Sequence, residues 1–185
     1  MRQLKISLYQ FDELNEETKK KVLEKFRHIN VEWEWYEPVY DGFEELASEY
    51  GIEVDDINFS GFYSQGDGAS FTGEIADFKK FAEKTGLKRL ARFSEPIEYN
   101  LEMMVTRVTY QYYHSKTVEA DIRDGGYYPR LSNLIEEKLE KVKEELCGKL
   151  YRILEEEYCY LTSDEVVADT IRVNGYEFTE GGELF

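Results

Sequence analysis

Apolar positions along the chain change period several times, and each change predicts an element. Leu4, Ile6 and Leu8 alternate with polar residues, the period of a half-buried strand. Asn15 then stands as an N-cap before Glu16 and Glu17, whose carboxylates suit a helix N-terminus, and Val22, Leu23, Phe26 and Ile29 follow at helical spacing. Pro38 separates this helix from a second one that places Val39, Phe43, Leu46, Ala47 and Tyr50 on one face and ends at Gly51. Asp55 and Asp56 read as a turn into the block INFSGFYSQGDGASFTG, residues 57–73. That block predicts a hairpin: a strand from Ile57, the connection Ser64-Gln65-Gly66-Asp67-Gly68, and a returning strand over Ala69 to Ile75. Asp77 caps a short third helix carrying Phe78, Phe81 and Ala82, stopped by Gly86.

From Ile97 to Ile122 the residues favour strands, including the run Val108 to Tyr113, with His114-Ser115-Lys116 as a turn and Thr117 to Ile122 as the return. Pro129 opens the longest element, a helix to about Tyr158. Leu131, Leu134, Ile135, Leu139, Val142, Leu146, Leu150, Ile153 and Leu154 form one apolar stripe along it, and glutamates and lysines cover the rest. The stripe suits packing across the domain's own sheet; pairing of the 130–158 helix into a homodimer is its alternative use. Thr162 or Ser163 caps a last helix with Val166, Val167 and Ile171, and Tyr176 to Phe185 reads as a final hairpin or edge strand. Hairpins mixed with helices predict a single α+β domain over residues 1–185. Its sheet is mostly antiparallel and packs against several helices, including one long C-terminal helix.

Composition narrows the partners. With 39 acidic against 23 basic residues the net charge is -16, a field that repels phosphates and disfavours direct nucleic-acid binding. Acidic faces are ordinarily solvated surface; carboxylates that mimic nucleic acid are the sharper reading. Cys147 and Cys159 would lie about 18 Å apart along a helix, too far for a disulfide, and fit a reducing cytoplasm. The N-terminal residues lack a signal peptide's apolar run, and no stretch has the length of a membrane span, so a soluble cytoplasmic protein is expected.

Catalytic chemistry finds little support. His28 and His114 are the only histidines and have no neighbours at metal-ligand spacing, so no metal and no cofactor are expected. Ser60, Ser64 and Ser70 flank the glycine-rich connection without forming a nucleophile elbow. The Gly66–Gly68 loop could cradle an anion with its amides, the basis for an alternative reading as a small-molecule or nucleotide-binding protein. It lacks the lysine-serine ending of a P-loop and leads into a strand. A turn whose rim exposes Ser64, Gln65, Asp67 and Ser70 is the plainer reading. Trp33, Trp35 and Tyr36, crowded among glutamates, serve either as core or as contact residues beside that rim.

Three segments carry a resemblance: YQFDELNEETKKKVLEKFR near the start, EWEWYEPVYDGFEELASEYGIEVDDINFSGFYSQGDGASFTG, and the closing NGYEFTEGGELF. Together they resemble a family of small bacteriophage and prophage proteins, mostly of unassigned function. The resemblance implies a viral or mobile-element origin and a bacterial cytoplasm, and transfers no catalytic residue. It favours a non-catalytic accessory protein that binds and inhibits or modulates a bacterial host or antiviral-defence protein.

Overall fold

The long apolar stripe beginning at Leu131 folds as one uninterrupted helix, Pro129–Leu161, because steps of three and four keep the stripe on a single face. Around it the computed structural model describes residues 5–93, 97, 102–109, 112–123 and 129–185. In chain order the elements are β1 (Tyr9–Gln10), α1 (Glu16–Phe26), α2 (Glu37–Ser48), β2 (Ile52–Phe59), β3 (Ala69–Ile75), α3 (Phe78–Lys84), β4 (Glu102–Arg107), β5 (Val118–Arg123), α4 (Pro129–Leu161), α5 (Asp164–Val173) and β6 (Glu177–Phe178). The protein is α+β, and its sheets of four and two strands are antiparallel throughout.

The described chain divides into two compact units, one of residues 1–36 with 156–185 and the other of residues 37–155. In the first, α1 starts where expected: the Asn15 side chain accepts from the Thr18 N–H at 2.9 Å. Val22 from α1, Val167 and Ile171 from α5, and Phe11, Leu14 and Phe178 make a small core, with Phe26 edge-on to Phe178. Ser163 caps α5 through the Val166 N–H. The closing hairpin pairs β6 with β1 and bridges Phe178 to Leu184. The N-terminal strand is displaced from its expected place: residues 5–8 are not extended into a ladder, and only Tyr9 and Gln10 find a partner, while Leu4 lies outside the described residues. Helix α1 stops at Phe26, and Ile29 sits in the turn beyond it.

In the second unit the sheet order is β2-β3-β4-β5. Phe43 of α2 meets Phe71 of β3 at 5.2 Å, and Phe78, Phe81, Ile135, Leu139, Leu146 and Leu150 are sealed in the same unit. Of the apolar stripe of α4, Ile135, Leu139, Val142, Leu146, Leu150 and Leu154 are buried, whereas Leu134 and Ile153 are exposed. Asp55 and Asp56, expected as a turn, lie inside β2. The ladder slips between Val54 and Asp56, so the pair marks a bulge rather than a reversal. Gly73 faces that bulge: a Cβ there would stand 2.2 Å from the Glu53 carbonyl oxygen, which no side chain permits. β4 ends at Arg107, and Val108, Thr109, Tyr112 and Tyr113 are not strand; Tyr110 and Gln111 of the expected run fall outside the described residues. Ile97, also expected in a strand, is helical and buried. The free edge of β5 is held by α4: Glu140 accepts from the Ala120 N–H at 3.2 Å, and the Lys143 ammonium donates to the Val118 carbonyl at 2.9 Å and pairs with Glu140.

Candidate functional site

Two segments hold the candidate contact residues apart from Ser70, and they belong to different units. The first is the turn between α1 and α2. Pro38 sits just inside α2, so residues 31–36 must bend before the helix begins. Trp35 and Tyr36 are half-buried: their rings meet edge-on at 6.0 Å, and Trp35 leans on Tyr158 at 5.7 Å. Trp33 shares none of this packing and is 84% exposed. The Trp35 N–H donates to the Trp33 carbonyl, so the backbone turns sharply while the indole is left outside. Of the three aromatics, two anchor the turn and one is presented by it.

The second is the connection of residues 60–68 between β2 and β3. Its tip is organised by its own carboxylate. Asp67 Oδ2 accepts from the Tyr63 and Ser64 N–H groups at 2.8 and 2.6 Å, and the Asp67 N–H returns to the Ser64 carbonyl at 3.1 Å. Below it the Gly68 N–H donates to Ser60 Oγ, and the Ser60 N–H to the Gly68 carbonyl. The Tyr63 and Ser64 amides are thus engaged by a carboxylate, and those of Asp67 and Gly68 by the Ser64 carbonyl and the Ser60 hydroxyl. Gly66 has φ +97°, and Tyr112 lies against it; Gly68 has no room for a Cβ, which would meet His114 Cβ and the Tyr113 carbonyl at 2.7 Å. Tyr63 is exposed at the tip, Tyr112 stacks on His114, and Phe59, Phe62 and Tyr151 form an aromatic row beneath. Burial, with the carboxylates of Glu155 and Asp67 nearby, raises the Tyr151 phenol above its ordinary value.

Ser70 corrects the expectation of a polar rim. It is fully buried in β3, and its Oγ has no hydrogen-bond partner among the described residues. Ser64 and Gln65 are exposed, Gly66 is partly so, and Gly68 is buried.

An arrangement that motif reading missed lies where β3 and β4 separate. Their ladder holds only Gly73 with Val105 and Glu74 with Met104, and beyond it opens a cavity of about 400 Å³. Asp55, Asp56, Glu74, Thr72, Thr106 and Arg107 line it. The Arg107 guanidinium, nearly buried, stands 3.6 Å from Asp56 and lies over the Tyr113 ring; Asn58 donates to the same Asp56 oxygen. No signal along the chain pairs Asp56 with Arg107, since their proximity depends on the bulge and on two strands distant in sequence. The walls of this cavity hold no histidine, cysteine or serine; its ionisable groups are Asp55, Asp56, Glu74 and Arg107. Among the described residues, no group of three or more histidine, cysteine, aspartate or glutamate side chains could hold a metal ion, and no helix is long and apolar enough to cross a membrane.

Residues 35–164 match the model of a family described as a domain of unknown function, DUF8835. The match spans more than half of the chain, which belongs to that family; it takes in Trp35, the 60–68 connection and all of α4, and begins two residues after Trp33. None of the curated proteins and none of the solved structures matches the chain.

Proposed function

We propose that this family member is a phage-type accessory protein that works by binding. It engages a bacterial host or antiviral-defence protein in the host cytoplasm and inhibits or modulates it without catalysis. The observation that carries this reading is Trp33. An indole held outside by a turn whose other aromatics are packed exposes a large apolar face to water, and truncating such residues at interfaces costs the most. The viral origin rests on the sequence resemblance.

The test is affinity capture from bacterial lysate with the tagged full chain and its Trp33→Ala variant. Because the side chain packs on nothing, the variant should keep the parent's circular dichroism and melting temperature. A host protein held by the parent should be lost by about tenfold or more, the scale of a hot-spot truncation. Recovery of the same proteins in the same amounts by both chains would end the proposal.

A further inference from the structure

We infer that the Trp33 turn reads a basic, arginine-bearing surface on its partner: a guanidinium lies over the indole, and Glu32 and Glu34 pair with it. This rests on the binding reading above and specifies the chemistry of the partner. Glu32, Trp33 and Glu34 are consecutive and all exposed. Among the described residues none of these side chains makes a hydrogen bond, ion pair or ring contact. The nearest cation in the sequence, Arg27, is committed to Glu24, Asp164 and the Thr162 carbonyl. Beyond it, no lysine or arginine occurs before Lys79. The turn therefore displays an exposed indole whose two chain neighbours are exposed glutamates with no lysine or arginine paired to them among the described residues.

That combination discriminates. An indole attracts a cation over its ring, a planar guanidinium also stacks there, and flanking carboxylates accept its N–H groups. An apolar partner would leave two carboxylates facing a dry surface, and an acidic one would be repelled. The complement is an arginine on an exposed face of a folded protein.

The probe is an acetylated peptide of alternating glycine and arginine, titrated into the full chain and followed by tryptophan emission and calorimetry. Its lysine and glutamate counterparts are run beside it. Binding should quench emission, follow the order arginine, lysine, glutamate, and weaken with salt. It should fall at least about fivefold in Trp33→Leu and in Glu32→Gln/Glu34→Gln. Equal affinity for the parent and either variant would overturn the inference, because the peptide would then be binding acidic surface elsewhere. The lysate capture separates the two claims. If a host protein is lost with Trp33→Ala but retained by Glu32→Gln/Glu34→Gln with unchanged salt dependence, the basic-surface inference fails and the binding reading stands. If Trp33→Ala loses nothing, the binding reading itself fails.

Discussion

Glu140 and Lys143 give the sharpest quantitative expectation, because the two members of one ion pair sit in different surroundings. The Lys143 side chain is 2% exposed, and its ammonium is held by the Val118 carbonyl and by Glu140, whose own side chain is 43% exposed. Lys143→Met keeps the packed stem and removes the charge. Glu140 keeps the Ala120 N–H on one oxygen while the other turns to water, so the residual cost is a dry Val118 carbonyl, about 2 kcal/mol. Glu140→Gln does the reverse: it leaves a buried ammonium without its counter-charge, at a cost of about 3–5 kcal/mol. The glutamine should therefore be the more damaging change, although glutamine is nearly isosteric with glutamate and the methionine deletes a cation. The double variant should regain part of the loss, with a coupling of about 1–3 kcal/mol. Urea unfolding followed by circular dichroism, read as midpoint shifts at constant slope, measures all four corners of the cycle. If Glu140→Gln proved as mild as Lys143→Met, or if both changed stability by less than about 0.5 kcal/mol, the pair would not be the closure of the β5 edge described above.

Other consequences are simpler to check. Gly73→Ala places a methyl 2.2 Å from the Glu53 carbonyl and should abolish folding or cost more than about 3 kcal/mol, while Gly148→Ala, in open space within α4, should stabilise by about 1 kcal/mol in thermal melts. Cys147 is buried, which pushes its thiol to about 11, whereas Cys159 is exposed; iodoacetamide at pH 8 should label Cys159 alone until the chain unfolds, as read by peptide mass spectrometry. Arg172 hydrogen-bonds Asp12 and holds its carboxyl below the ordinary 3.8, so their contribution to stability is present above that value and is lost as pH falls through the lower folded one. The melting-temperature difference between the parent and Arg172→Leu should accordingly be full at pH 7 and shrink below pH 4; a difference that grows on acidification would contradict the assignment.

Local rules were legible in the chain wherever one element decides its own fate. The α4 stripe, the caps at Asn15, Asp77 and Ser163, and the bounds of β3 all follow from spacing and side-chain chemistry within a few residues. The errors have a common cause in pairing. Asp55 and Asp56 look like a turn because nothing local distinguishes a reversal from a bulge; Gly73, on another strand, makes the bulge possible. Tyr112 and Tyr113 have strand propensity, yet the ladder ends at Arg107 with Val118, and the Tyr113 ring lies beneath the Arg107 guanidinium instead. Ser70 looked like rim because it follows a polar loop, but both faces of β3 are covered at that point. Trp33 and Trp35 differ by one turn of backbone that periodicity does not encode.

The glycine-rich block and the Trp33 turn now divide the question between them. A residue that the fold requires explains itself, and most of the block does. Gly73 admits the bulge, Gly68 admits Tyr113 and His114, and Asp67 ties off the tip with its own carboxylate. Features of this kind identify a family through its architecture, whatever its members do. Trp33 has the opposite character: its indole is 84% exposed, and no described contact holds it. An exposed indole that packs on no described residue adds nothing to the core of its unit, and the binding proposal rests on that. On the binding proposal the turn before Pro38 is the contact, and Trp33→Ala is the variant that separates that role from the fold.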